Sequence, residues 1–490
     1  MKKNLRILQL LIILLLFSTI AGAQVILPPF FNCNMVLQQG IPIPVWGWAS
    51  PGEKVSVTFN DKTVTTKTGK DGKWKVTLQP MNYGGPYKMV VKGKNLRTIE
   101  NILIGEVWVC SGQSNMEFNL SSANNAVAEI AASNYPEIRL FTVKKRISQT
   151  PQDNLEEGDW WECSPVSTPK FSAVAYFFGR TLYEKLKVPI GLINTSWGGT
   201  VAETWTSPDA IAKNPDFAPK LENLKKMDIT EFANNIKKEG KDRLGPNSYP
   251  TLLYNGMINP LVPYAIKGAI WYQGEGNAGR AFQYRRVFSD MIKDWRAHWD
   301  QSDFPFLFVQ LANFMKADSL PVESTWAELR EAQSMTLSLP KTGMASAIDV
   351  GDALDIHPKD KQTVGKRLAL SALNVAYRQN IENLGPVYKE MKINGNRVEI
   401  TFDHVSAGLK AKDKYSYVKG FTIAGKDHKF FWANAKITGS NKMEISAQEV
   451  AEPEAVRYGW ANNPNDVNLY NSEGLPADPF RTDKWKGITE

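Results

Sequence analysis

Cysteine is scarce in this chain, with three residues (Cys33, Cys110 and Cys163) in 490. A set so small and odd excludes a disulfide framework, and without a CxxC pair or His-rich spacing it offers no zinc site. One bridge is the most it can form, and the sequence does not choose the pair. Histidine is nearly as rare, at four residues, so a general base has few candidates. Neither sign of charge dominates, with 58 basic and 50 acidic residues. That mild excess speaks for solubility rather than a nucleic-acid partner. The lysines of 220–241 are interleaved with acids, the pattern of a solvated helical face. Low-complexity tracts and internal repeats are also missing.

A single long apolar run exists, Ile7–Ile20. It follows Lys2, Lys3 and Arg6 and precedes Ala21-Gly22-Ala23, the layout of a secretory leader cut after residue 23. The run is too short for a comfortable membrane span, and no cysteine follows the cut to carry a lipid. The expectation is an exported protein, periplasmic or secreted, with no membrane span. Losing the leader lowers the formal charge of +8 by three.

What remains is long enough for about three domains. Residues 24–100 alternate apolar and polar with turn breakers, and Asp71-Gly72 between two such runs is a hairpin signal, so a small β-sandwich is expected. From 101 to 380 apolar runs (Ile102–Cys110, Val188–Asn194, Lys267–Tyr272, Phe304–Leu311, Gly343–Val350) alternate with helical stretches such as Ala281–Trp299 and Lys361–Gln379. Such alternation predicts βαβ units around a mostly parallel sheet. A polar, mostly helical insertion is expected over 205–250. From 381 to 490 strand-like alternation returns as a second β-rich module.

Four loops at the ends of these runs carry chemistry. Ile102–Cys110 empties into Gly112-Gln113-Ser114-Asn115-Met116, which puts Ser114 at the carboxyl edge of the sheet, where open α/β proteins bind ligands. It is not a Gly-x-Ser-x-Gly elbow, because Met116 replaces the second glycine. Of the four histidines, His357 alone lies in a loop rich in acids, Asp349-Val-Gly-Asp352-Ala-Leu-Asp355-Ile-His357. The other two loops are Trp197-Gly198-Gly199-Thr200 and Gln273-Gly274-Glu275-Gly276-Asn277. Their glycines let a backbone N–H approach a reacting carbon, and a Gln or Asn side chain adds another donor, so both resemble oxyanion-hole material. Gly274–Gly279 also matches G-x-G-x-x-G, but the acid a dinucleotide site wants at the end of the next strand is missing; Asp290 and Asp294 fall within a helix instead. Trp197, Trp205 and Trp271 read as core or groove wall.

The loops Gly-Gln-Ser114-Asn-Met, Asn-Thr-Ser-Trp-Gly-Gly199-Thr, Trp-Tyr-Gln273-Gly-Glu275 and Asp-Ile-His357-Pro-Lys-Asp-Lys-Gln resemble those of the sialate O-acetylesterases, a family of SGNH-type hydrolases. The likeness runs from roughly Met35 to Asp483. It implies a central SGNH-type three-layer α/β/α hydrolase domain flanked by N- and C-terminal β-rich modules. It also implies Ser114 as nucleophile, His357 as general base, and oxyanion donors from the Ser114 N–H, the Gly199 N–H and a side chain of the Gln273 loop, with Glu275 and Asn277 in the same substrate-binding loop. No metal or cofactor is called for.

This sequence departs from the family pattern at Leu354, where an acid usually precedes the histidine by three, and at Gly276, where relatives often carry serine. Asp355 is two before His357 and takes the third catalytic position here; Asp352, Asp349 or a backbone carbonyl remain alternatives. The expected reaction removes O-acetyl groups from sialic acids, with acetylated plant polysaccharides such as xylan as the alternative. Arg280 and Arg286 are candidates for a sialic acid carboxylate. A non-catalytic carbohydrate-binding protein is the competing class. The sequence leaves oligomeric state and preferred acetyl position open.

Overall fold

The structure is a computed structural model and describes residues 24–231 and 245–490. The expected leader, 1–23, and residues 232–244 of the expected insertion lie outside the described residues.

The N-terminal part holds β1 (Val36–Gln38), β2 (Ile43–Trp48), β3 (Lys54–Phe59), β4 (Lys62–Lys67), β5 (Lys73–Leu78) and β6 (Gly84–Lys92). β2 pairs with β5, while β3 pairs with β4 and β6. The Asp71-Gly72 turn therefore joins strands of two different sheets and is not a hairpin. The hairpin is β3–β4, closed by Asn60 and Asp61, both at positive φ (47° and 60°), as a two-residue type I′ turn requires. Sequence reading missed β4 because its residues, Lys-Thr-Val-Thr-Thr-Lys, are half-buried at best and lack an apolar face.

β7 (Leu96–Gly112) is 17 residues long. Its first half pairs antiparallel with β6, and its second half is the centre of the main sheet, so one strand passes unbroken through residue 100. The main sheet adds β8 (Tyr135–Thr142), β9 (Trp160–Cys163), β10 (Ile190–Ser196), β11 (Gly268–Tyr272), β12 (Phe306–Val309) and β13 (Thr342–Ala345), in spatial order β13-β12-β11-β7-β10-β8-β9. All neighbours are parallel except the edge strand β9. The chain first builds out from β7 on one side and later on the other. The carboxyl end of β7 therefore lies at the topological switch point, where such sheets bind ligands.

Side chains of β7 alternate between two cores: Val107 and Val109 join one hydrophobic cluster, Trp108 and Cys110 the other, as the strand period demands. Helices Ala281–Trp299 and Thr325–Met335 cover the first face through Phe288, Trp295 and Leu329, and helices Ala173–Leu186 and Lys361–Val375 cover the second through Phe177, Phe178 and Leu368. Three of these helices start on side-chain caps: Ser172, Ser324 and Asp360 accept the N–H three residues on, each worth about 1 kcal/mol. The result is the expected α/β architecture with three layers. A third cluster, including Val398, Phe421 and Tyr458, forms the core of the C-terminal sheets. Among the described residues no helix is long and apolar enough to cross a membrane. All three cysteines are free, Cys33 exposed and the others buried.

The strand-to-loop transition at Ser114 depends on Gly112. It sits at φ 137°, and a Cβ there would fall 2.2 Å from the Tyr272 carbonyl oxygen at the end of β11. Both φ and the close approach exclude a side chain. Gly112→Ala is expected to cost more than about 3 kcal/mol, read as a lowered midpoint in urea unfolding.

Candidate active site

Ser114 opens the short helical turn Ser114–Glu117 directly after β7. Its Oγ lies 2.9 Å from His357 Nε2, and His357 Nδ1 lies 3.1 Å from Asp355 Oδ1. The loops after β7 and β13 thus meet at one sheet edge, although 243 residues separate Ser114 from His357. Asp355 Oδ1 also accepts the His357 backbone N–H at 2.9 Å. This is an Asx-type turn, so the i, i+2 pairing comes from a bend and not from extended chain. That N–H, and then the imidazole ring, hold the Asp355 carboxyl below the usual carboxylate range. An ionised Asp355 favours the tautomer with the proton on Nδ1, which leaves Nε2 to accept from Ser114.

The other acids of the loop are committed elsewhere. Asp349 takes a bidentate pair from Arg367 at 2.6 and 2.9 Å and a bond from the Tyr470 hydroxyl at 3.0 Å. Asp352 accepts the Leu354 N–H at 2.8 Å.

The Gly198-Gly199 turn lies beside the serine. A Cβ on Gly198 would sit 3.3 Å from Ser114 Cβ, and the Gly198 N–H donates to Glu117 Oε2 at 2.6 Å. Gly199 stands at φ 72° with open space where a Cβ would go. Its N–H makes no hydrogen bond among the described residues, and neither does that of Ser114.

The Gln273 loop is tied into the fold through its amides. Gln273 is fully buried, and its amide donates to Thr200 O at 3.2 Å and to Asn277 Oδ1 at 2.7 Å. Asn277 Nδ2 in turn donates to Glu203 at 3.0 Å, while its Oδ1 also accepts from the Ala202 N–H. Both amides help hold this loop to the 200–203 turn. Trp205 and Trp271 are core, and Trp197 is half-buried with the Lys145 ammonium 5.4 Å from its ring.

The sequence of this region matches the model of the carbohydrate esterase family of sialic acid-specific acetylesterases over residues 104–374. The chain belongs to this family. Sialate O-acetylesterases of Mus musculus and Homo sapiens are 32% and 30% identical to it, over 96% and 92% of this chain and 96% and 91% of theirs. The crystal structure of a carbohydrate acetylesterase from Xanthomonas citri superposes with a TM-score of 0.85 at 40% identity, covering 94% of this chain and all of the other. The protein is a carboxylic ester hydrolase, an acetylesterase of carbohydrate type.

This acetylesterase holds its loops together through residues that sequence reasoning passed over. Gln113 Oε1 accepts the N–H groups of Gly274 and Gly276 at 3.3 and 3.2 Å. Asn115, almost fully buried, donates to Glu275 Oε1 at 2.6 Å and to the carbonyl of Ile356, the residue before His357, at 3.1 Å. Its own Oδ1 accepts from Lys361 Nζ. Lys361 is wholly buried, its ammonium 4.7 Å from the Phe118 ring and 5.3 Å from Tyr272. Burial holds its pKa down at about 7, against the pull of Glu275 and Asp355. Burial likewise raises the Glu275 carboxyl, against the lowering effect of Asn115 and Lys361. Glu275 is therefore part of a buried Lys–Asn–Glu chain beneath the catalytic loops. The one available signal was position: Asn115 adjoins the serine, and Lys361 stands four residues after the histidine.

Proposed function

We propose that the enzyme cleaves O-acetyl esters of sugars through an acetyl-serine intermediate. Ser114 Oγ attacks the acetyl carbonyl while His357 Nε2 takes its proton, and Asp355 steadies the imidazolium that forms. The N–H groups of Ser114 and Gly199 receive the developing oxyanion. The tetrahedral intermediate collapses, the sugar oxygen leaves with the proton from His357, and the acetyl group stays on Ser114. Water, deprotonated by His357, then attacks the acetyl carbon, and acetate leaves. The observation that carries this reading is the 2.9 Å contact between Ser114 Oγ and His357 Nε2, with Asp355 behind the ring.

Asp355 is 43% exposed at its side chain, so water can stand in for part of its effect. Asp355→Asn is expected to lower kcat by about 10- to 100-fold, less than the roughly 10⁴-fold seen for a buried triad acid. Steady-state kinetics on p-nitrophenyl acetate checks this. An unchanged kcat would remove Asp355 from the mechanism.

The names of the curated relatives point to O-acetylated sialic acid as substrate. One observation favours the second reading, a neutral acetylated glycan. Arg280 is bound to Glu203 at 2.7 Å and Lys145 is paired with Glu117, while Arg286 is exposed on the helix Ala281–Trp299. Among the described residues no arginine beside the serine is left free for bidentate capture of a carboxylate, and the exposed Lys359 near Asp355 offers only a point charge. Acetate release from O-acetylated sialic acid, measured beside acetylated xylan oligomers, tests the two readings. Preference for the sialic acid by tenfold or more in kcat/KM sinks the neutral-glycan reading.

Export rests on the leader-like residues 1–23, and N-terminal sequencing of the secreted protein should begin at Gln24. The domain limits 24–100, 101–380 and 381–490 complete the proposal, β7 being shared by the first two.

A further inference from the structure

The C-terminal sheet holds a recess that the reaction at Ser114 does not use. Strands Phe430–Trp432, Phe421–Ala424, Ala455–Tyr458 and Phe480–Arg481 lie side by side in that order. Trp432, Thr422 and Arg457 are direct cross-strand partners, so their side chains share one face, and Phe430, two residues from Trp432, shares it too. Thr422 and Ala424 are small and leave a hollow between the aromatic strand and Arg457. The segment Leu320–Glu323 and Trp460 wall the other side, and the cavity has a volume of about 610 Å³.

Its chemistry suits an uncharged sugar. Trp432 is 44% exposed, and its indole N–H is tied to the Ser319 carbonyl at 3.0 Å, giving a partly open aromatic surface of fixed orientation. Trp460 is buried, with the guanidinium groups of Arg457 and Arg481 each 5.1 Å from its ring. Its indole N–H is buried with no hydrogen-bond partner among the described residues. The Arg457 charge is already answered by Asp483 and Glu323 at 2.8 Å, and the exposed rim carries charges of both signs, Lys429 and Glu449. Nothing there singles out a carboxylate.

The recess is also connected to the catalytic edge. Its wall belongs to the loop that leaves β12, and that loop pairs with the His357 loop through the Phe314–Asp352 bridge and a 2.7 Å bond from Gly351 N–H to Asn313 Oδ1. From Phe314 to Leu320 the chain reaches at most about 20 Å, the length of a few sugar units.

We infer that this recess is a second sugar-binding site, taking an uncharged pyranose of the glycan chain whose acetyl ester lies at Ser114. The inference rests on the acetylesterase reading of Ser114 and deepens it, since it makes the substrate a chain and not a single sugar. The test is calorimetric titration of the full-length Ser114→Ala protein with xylohexaose, cellohexaose and mannohexaose, with Trp432→Ala or Trp460→Phe added. At least one hexaose should bind. Trp432→Ala should weaken binding about tenfold or more, whereas Trp460→Phe, which keeps the ring and removes only an N–H closed to solvent, should leave it within about twofold. In the Ser114 background both variants should hydrolyse p-nitrophenyl acetate at the wild-type rate. If none of the three hexaoses binds, or if Trp432→Ala binds as tightly as its parent, the site does not exist. Survival of p-nitrophenyl acetate turnover in Ser114→Ala would instead overturn the catalytic reading, a separate outcome.

Discussion

Replacing Ser114 by alanine is expected to lower kcat for acetyl ester hydrolysis by about 10³- to 10⁶-fold, and His357→Ala by a similar factor. Without Oγ no acetyl-enzyme forms, and without the imidazole the hydroxyl is a weak nucleophile at neutral pH. The two losses should not add, because each residue acts only through the other. The Ser114 hydroxyl makes its one side-chain hydrogen bond to His357 and supports no packing of consequence, so the melting temperature of Ser114→Ala should stay within about 2 °C of wild type. Kinetics on p-nitrophenyl acetate together with a thermal melt check both halves. A folded Ser114→Ala protein with wild-type turnover would remove the serine from the chemistry.

The second large effect is expected at Asn115. Its side chain joins three elements: Lys361 at the start of a helix, Glu275 in the loop after β11, and the carbonyl next to His357. Asn115→Leu keeps the branched outline of the side chain, with somewhat greater bulk, and breaks all three bonds. It leaves a buried ammonium and a buried carboxyl without their shared partner, at a cost of about 2–4 kcal/mol. It also frees the loop that holds His357, and a displacement near 1 Å there costs about 10²-fold in kcat. Urea unfolding and kcat should therefore fall together in Asn115→Leu, whereas Ser114→Ala moves kcat alone.

Lys361→Met separates charge from shape in the same chain. The folded protein releases the Lys361 proton at about 7, well below the ordinary lysine value of 10.5. Between those values the unfolded chain binds more protons than the folded one, so stability rises with pH across that window. Lys361→Met should flatten this rise and be comparatively more stable at pH 7 than at pH 9. Equal pH dependence in both proteins would show that Lys361 is charged throughout.

Much of this was legible in the sequence, for physical reasons that differ by residue. The strands of the main sheet are buried on both faces and read as continuous apolar runs, and four of the five runs end in loops where candidate site residues stand. His357 was reachable because so few histidines compete with it. Asp355 was reachable by proximity, although the turn that joins it to His357 was not. The bonds from Gln273 and Asn277 to the 200–203 turn were not legible, because an amide in a glycine-rich loop looks the same whether it faces a substrate or a neighbouring carbonyl. Lys361 and Asn115 were signalled only by their positions close to His357 and Ser114. A lysine at the first turn of a helix normally faces water, and its burial follows from the meeting of three loops distant in sequence. β4 went unseen because it has no apolar stripe, and the Asp71-Gly72 pair misled because turn chemistry does not say which strands will pair.

The central claim is that acetyl transfer passes through Ser114, and the most direct measurement is mass spectrometry of enzyme acid-quenched during turnover of p-nitrophenyl acetate. One acetyl group is expected, on the peptide that contains Ser114, absent from both Ser114→Ala and His357→Ala. An acetyl group on another residue, or acetate release with no acetyl-enzyme at any quench time and full activity in Ser114→Ala, would contradict it.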